Sequence, residues 1–365
     1  PVISGSIIIN DYDSEFMDLG HINEIKGDLT VSNVSSIQRI QGLQLEMIGG
    51  AFQFDTLTSL TNLAFPKLQS VETLRWHVLP ILTSVNFNAG IKDIKSVIMS
   101  DTSLTGFGGF NVETLRNLNI NNNRFLERIE SSVKEITGEL SISANAENLQ
   151  VVLPQLTKVK SLTLRDAEDV RFDSLQIVEQ NADFINNQFS SLKLPKLKST
   201  GQTLSIINNE NLGELDFNSL TEIGGGLMVI DNERVNMIEF FANLKSVGGA
   251  IELQGDISQC KFNEIKIVKG SAIMKSSSNE LDCTEWMSSE IAKAVRGGKI
   301  ECSAGDKPKE IKLVDDRGKT TKETTEPSTS GGLFNHKDSS AGWAIKASLL
   351  SVVCSFAFAV FWNMF

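Results

Sequence analysis

Histidine and cysteine are scarce in this chain, and their scarcity narrows its chemistry. The three histidines, His21, His77 and His336, are scattered, and the four cysteines, Cys260, Cys283, Cys302 and Cys354, contain no C-x-x-C pair. A zinc site needs close-set thiolate or imidazole ligands, so no metal is expected. No Ser-His-Asp or Cys-His constellation can be assembled from these residues without special pleading, and no other cofactor signature is present. Basic residues are also short: 34 Lys and Arg against 45 Asp and Glu give a net charge of −11. Nucleic acid and anionic membrane surfaces are bound by clustered cations, so neither is an expected partner. The first residue is Pro1 and not a start Met, so the chain is expected to be a fragment or a processed form.

What the chain does have is a repeat. "INEIKGDLTVSN" (Ile22 to Asn33) aligns with "VKEITGELSISAN" (Val133 to Asn145), "LKSTGQTLSIINN" (Leu197 to Asn209), "LTEIGGGLMVIDN" (Leu220 to Asn232) and "LKSVGGAIELQGD" (Leu244 to Asp256). The shared pattern is apolar-x-x-apolar-x-Gly, one further residue, apolar-x-apolar, then a polar turn. Its first apolar position recurs at Ile22, Leu45, Leu68, Ile91, Val112, Val133, Leu156, Leu175, Leu197, Leu220, Leu244 and Ile265, twelve units with steps of 19 to 24 residues. The fit is poor near Ile91.

Pairs such as Leu29/Val31, Leu140/Ile142, Leu204/Ile206 and Ile251/Leu253 have the period of two that turns alternate side chains inward from a short strand. Glycine at the sixth position (Gly27, Gly50, Gly138, Gly225, Gly249, Gly270) allows either positive φ or close approach between coils. Asn33, Asn123, Asn186, Asn208 and Asp231 fall at turns, where stacked side chains could satisfy buried backbone groups. A unit of about 22 residues cannot bury its own apolar face, so the coils must stack. The expected fold is an all-β solenoid of about twelve coils over residues 1–276, a right-handed β-helix close to the leucine-rich-repeat class.

The segment 277–303 reads as a C-terminal cap. Asp282 and Glu285 form a capping-box pattern, Met287, Ile291, Ala294 and Val295 share one helical face, and Gly297-Gly298 stops the helix. Cys283 and Cys302 flank this element and are expected to pair, with two unpaired buried cysteines as the alternative. Cys260 is left over, either bonded to a cysteine upstream of Pro1 or a free buried thiol.

Residues 304–330, including "KTTKETTEPSTSGG", read as a flexible Ser/Thr-rich stalk able to carry O-linked sugars. Small residues at Ser330, Gly331 and Gly332, a polar spacer and the terminal apolar run "KASLLSVVCSFAFAVFWNMF" make up the signal for a glycosylphosphatidylinositol (GPI) anchor. Attachment is expected at Ser330, with Gly331 as the alternative, and removal of 331–365 on maturation. The rival is a retained transmembrane helix, but no positively charged flank follows Phe365. The anchor implies the secretory pathway and the cell surface. One N-glycosylation sequon, Asn33-Val34-Ser35, lies on the first coil's turn, either a glycan acceptor or an unmodified turn asparagine.

Catalysis would need converging carboxylates. The acidic groups Asp11/Asp13, Asp166/Glu168/Asp169 and Asp315/Asp316 are read as solvated charges. Arg75 and His77 should point outward from the strand whose Trp76 packs inward. The outward positions Thr30, Gln53, Asn119, Ser141, Thr163, Asp183, Ser205, Met228 and Glu252 form a small, polar column without the aromatic platforms on which sugars stack.

Together the repeats, the Cys-helix-Cys cap and the tail resemble the fungal GPI-anchored cell-wall organisation proteins with receptor-L-domain-like repeats, some of them sporulation-specific. The resemblance implies a glycoprotein of the plasma membrane and wall, with no catalytic residues to carry over and cell-wall polysaccharide or wall proteins as partners. Overall likeness leans towards a spore-wall member. A receptor-like ligand-binding module and a β-helical polysaccharide enzyme are the competing readings.

Overall fold

The computed structural model describes residues 1–327, apart from 109 and 111. Within them 24 strands join in one sheet, accompanied by two four-stranded and two two-stranded sheets. Coils align residue over residue: Leu162 pairs with Ala182, Ala182 with Leu204, Leu204 with Leu227 and Leu227 with Ile251. Two residues on, Leu164, Phe184, Ile206, Val229 and Leu253 make a second inward row. The inward residues expected from the repeat, Leu140, Ile142, Leu204, Ile206, Leu227 and Val229, all lie in one core cluster. Each such side chain contributes about 1.5–3 kcal/mol by leaving water. The architecture is the expected β-solenoid of about twelve coils. Near Ile91 the poor sequence fit corresponds to an isolated bridge from Ile91 to Phe110. The neighbouring coils are filled instead by rings, with Trp76 packed against Phe52, Phe54, Phe87 and Phe107.

The repeat glycines serve close approach and not left-handed backbone. A Cβ on Gly248 would meet the carbonyl oxygen of Gly224 at 2.0 Å, and one on Gly224 would meet that of Gly201 at 2.2 Å. At Gly225, Gly249 and Gly270 a Cβ would also lie too close to the backbone of the preceding coil, at 2.8, 2.9 and 2.7 Å. Most left-handed positions are polar turn residues: Asn33, Asp101, Asn122, Asp166, Asn186, Asn208 and Asp231 all have φ between 51° and 59°, and Thr56, Val78 and Ala144 share that range.

Those turns hold two adjacent columns. Asn33, Asn186, Asn208 and Asp231 supply the left-handed residue, whereas the backbone is satisfied by the next column: Asn123, Asn145, Asn187, Asn209 and Asn232. Asn187 N–H donates to Asn209 Oδ1 at 2.9 Å, and Asn209 N–H donates to Asn232 Oδ1 at 3.0 Å. Their amide nitrogens donate to Leu164, Phe184 and Ile206 carbonyls one coil back at 3.0, 3.0 and 2.8 Å. The expected satisfaction of turn backbone is therefore made one residue later than Asn186, Asn208 and Asp231; only Asn123 of the expected set belongs to the buried ladder.

The last coil is interrupted by the cap. Ala272 pairs with Ile300 and Met274 with Cys302, and two short helices, Cys283–Trp286 and Glu290–Ala294, occupy the intervening segment. The single helix read from sequence breaks at Ser289, whose hydroxyl caps the second helix. Asp282 accepts from Thr284 N–H at 2.8 Å and Glu285 N–H at 3.3 Å. Met287, Ile291, Ala294 and Val295 are all buried. Cys283 and Cys302 form a disulfide with Cα atoms 5.6 Å apart, tying the helix start to the final rung. Cys260 has no disulfide partner among the described residues, and burial pushes its thiol up to about 12, opposed by its contact with Trp286.

Beyond Cys302 the structure differs from a flexible stalk. Strand Gly298–Ala304 continues into an antiparallel hairpin, Lys309–Val314 and Thr320–Glu326. Threonine suits strands as well as linkers, and the sheet edge at Gly298–Ala304 provides a pairing partner that composition does not reveal. Glu301 fastens this hairpin. It is 3% exposed and accepts from Lys299 at 2.6 Å and Lys309 at 2.7 Å. Burial raises its pKa, but the two ammonium groups outweigh burial and hold it below the usual carboxylate range. Because the folded value is depressed, the stabilisation is present above the unfolded value and lost as pH falls through the folded one. Glu301→Gln should therefore cost about 1–2 kcal/mol at neutral pH. That deficit should shrink as pH drops below the ordinary carboxylate range. Urea unfolding of both forms across pH checks this; a pH-independent difference would contradict it.

Candidate functional site

The outward face of the large sheet is a set of rows fixed by register. The central row runs Thr30, Gln53, Arg75, Ile98, Asn119, Ser141, Thr163, Asp183, Ser205, Met228, Glu252. This is the column read from sequence, completed by Arg75 and Ile98. Asp183 is half-buried in it: burial raises its carboxyl above the ordinary range, opposed by a Ser205 hydrogen bond and the Arg165 charge.

A second outward row two residues on was not legible in sequence. In it Ser32, Asp55, His77, Ser100, Asn121 and Ser143 stack on the early coils, and Arg165, Ile185, Ile207, Ile230, Gln254 and Lys275 on the later ones. Trp76 is buried while Arg75 and His77 face solvent, as expected. His77 Nδ1 lies 3.0 Å from Asp55 and Nε2 lies 3.8 Å from Asp101. Ser100 neighbours His77 in register, but both imidazole nitrogens face carboxylates, which leaves none to activate a hydroxyl.

The three acidic groups lie apart from one another along the chain, although Asp166 and Glu168 line one cavity with Glu147. Asp11 and Asp13 are exposed between strands Ile7–Ile9 and Phe16–Asp18. Asp166 accepts from Ala144 N–H at 3.0 Å, and Asp315 from Arg317 and Lys319 N–H at 3.0 and 2.8 Å in the hairpin turn. These carboxylates order turns. Among the described residues no group of three or more His, Cys, Asp or Glu is placed to hold a metal, and no helix is long and apolar enough to cross a membrane. Asn33 sits exposed at a left-handed turn with Ser35 exposed beside it. Ser330 and Gly331 lie outside the described residues.

Two cavities follow the turn column, the first beside the isoleucine row and the second on the preceding coils. One, of about 640 Å³, is lined by Asn208, Glu210, Asp231, Glu233, Gln254 and Asp256 among others. The other, of about 810 Å³, includes Asn145, Glu147, Asn148, Asp166 and Glu168, and Gln188 lines both. The lining is carboxylate and amide. Lys275 is its one cation, and it is held by Glu252 at 2.8 Å.

No family model matches the chain, and no solved structure matches it. Among curated proteins it is 42% identical over 319 residues to sporulation-specific protein 2 of Saccharomyces cerevisiae, covering 87% of this chain and 63% of that protein. It is 42% identical over 317 residues to sporulation-specific protein 22 of the same yeast, covering 86% and 68%. To the cell surface GPI-anchored protein ECM33 of Candida albicans it is 31% identical over 301 residues, covering 82% and 71%. The match thus spans less than two thirds of sporulation-specific protein 2. Identity at this level, carried along the length of the solenoid, has one meaning: the chain belongs to the fungal family of sporulation-specific and GPI-anchored cell-surface proteins that these relatives represent.

Proposed function

We propose that the protein is a non-catalytic scaffold at the fungal cell surface that organises the wall, and the spore wall in particular. The observation that carries the reading is the 42% identity to two sporulation-specific proteins. The fold supports it: a capped stack of coils presents a long outward sheet face, and its carboxylates are spread over many turns. The relatives named as cell-wall and GPI-anchored proteins favour attachment through a GPI anchor at Ser330, or Gly331, following secretion. Asn33, exposed on its turn, is the proposed N-glycan acceptor. The partners are wall polysaccharide or wall proteins.

Complementation of a deletion strain tests this, scored by resistance to wall-lytic enzymes and by electron microscopy of the wall layers. Single changes at Asp11, Asp13, Asp166, Glu168 or Asp169 should leave function nearly intact, because a scaffold spreads its contacts whereas a glycosidase concentrates rate in two carboxylates. Deleting the anchor signal should rescue poorly. One carboxylate substitution that abolishes function in a protein still folded and at the surface would return the enzyme reading.

A further inference from the structure

Among the described residues no element covers the isoleucine row. Ile185, Ile207 and Ile230 stack in register on three successive coils, half-buried on the outward side of the sheet. Each is followed in the chain by the left-handed residue of its turn, Asn186, Asn208 or Asp231. An aliphatic shelf therefore runs along these three coils, bordered by the first cavity and ended by Arg165, in register beside Ile185; the second cavity lies beyond it along the turn column. Four carboxylates line the first cavity and three the second, against Lys275 alone. Lys275 is already held by Glu252. Glu210, Glu233 and Glu168 have no cationic partner among the described residues.

We propose that this face binds a linear polymer of amino sugars, cationic and rich in hydroxyls. Charge complementarity selects it. A carboxylate-lined groove repels a polyanion and gives a neutral glycan no ionic attraction, whereas protonated amines repeated along a chain meet carboxylates repeated along the coils. The exposed amides Asn186 and Asn208 offer paired donor and acceptor atoms to neighbouring hydroxyls. The isoleucines receive the C–H faces of the sugar rings in place of aromatic platforms. Coils repeat at about 4.8 Å, so one set of contacts recurs along an extended polymer. The proposal rests on the scaffold reading and names its wall partner.

The test is binding of short glucosamine oligomers to the full chain in mild detergent, at a pH that keeps the amines protonated. Their N-acetylated, neutral counterparts and poly-lysine serve as comparisons. Glucosamine oligomers should bind at least about tenfold more tightly than the N-acetylated ones, with affinity falling as salt rises. The triple variant Glu210→Gln, Glu233→Gln, Asp256→Asn should lose about tenfold. Ile207→Ser should weaken the sugar polymer while leaving poly-lysine unchanged. Should the triple variant fail to fold, Glu233→Lys alone carries the charge test. Equal binding of the N-acetylated oligomers, indifference to the charge variants, or poly-lysine binding as tightly with Ile207→Ser without effect would overturn the proposal. Failure here leaves the wall complementation result standing, and failure of complementation leaves this binding measurable.

Discussion

Leu204→Asp should destroy the cooperative fold. Leu204 is fully buried, stacked between Ala182 on one coil and Leu227 on the next. Removing the leucine forfeits about 2–5 kcal/mol through lost burial and the cavity it leaves. The incoming carboxylate then either ionises in an apolar interior without a cation or takes up a proton, and either course costs several kcal/mol more. Their sum rivals the whole stability of an ordinary domain, about 5–15 kcal/mol. Position in the stack amplifies the loss, since each coil is held mainly by its neighbours and a break at Leu204 uncouples the coils on either side. Urea unfolding should show no single transition at the parent midpoint, and the protein should fail to reach the surface. Ile207→Ser, on the outward side of the same strand, is the control and should cost about 1 kcal/mol. A Leu204→Asp protein that unfolds within about 1 kcal/mol of the parent would mean the inward row is not the core.

The core was legible because the repeat encodes burial directly: an apolar-x-apolar pair can face one way only. Residues carrying two possible meanings were not. Glycine permits both positive φ and close contact, and only the coordinates distinguish Gly224 and Gly248, pressed on carbonyl oxygens, from left-handed residues. Paired asparagines hid the ladder for a similar reason. At Asn186-Asn187 and Asn208-Asn209 the first residue takes the left-handed turn and the second the buried hydrogen bonds, so either suits the motif. The isoleucine row escaped because an outward apolar residue is ordinary singly and becomes a shelf only once register stacks Ile185, Ile207 and Ile230. The hairpin at Lys309–Glu326 depends on a partner strand supplied by the cap, which local composition does not specify.

Asn209→Leu should cost about 3–5 kcal/mol even though the two side chains are similar in size and the site is fully buried. Asn209 Oδ1 accepts from the backbone and side-chain nitrogens of Asn187 at 2.9 and 3.0 Å. Its Nδ2 donates to Phe184 O at 3.0 Å and to Asn232 Oδ1 at 2.9 Å. Leucine keeps only the backbone bonds, its N–H to Asn232 Oδ1 and its carbonyl from Leu212 N–H, leaving the Asn187 N–H and the Asn187 amide without this acceptor and Phe184 O without this donor. Each polar group orphaned away from water costs about 1–3 kcal/mol, and the gain from an added apolar side chain only partly offsets them. Asn209→Asp separates hydrogen bonding from volume. It retains the acceptor for Asn187 but sets a carboxylate oxygen against Phe184 O and Asn232 Oδ1, where a donor stood, so it should destabilise at least as much as leucine. Asn208→Gly, one residue earlier at an exposed left-handed turn, should change stability by less than about 1 kcal/mol. Hydrogen exchange gives the local signature: the Asn187 amide should lose protection in both Asn209 variants before global unfolding does. If Asn209→Asp were as stable as the parent, the donors of the ladder would contribute nothing, and the coils would be held by apolar burial and strand pairing alone.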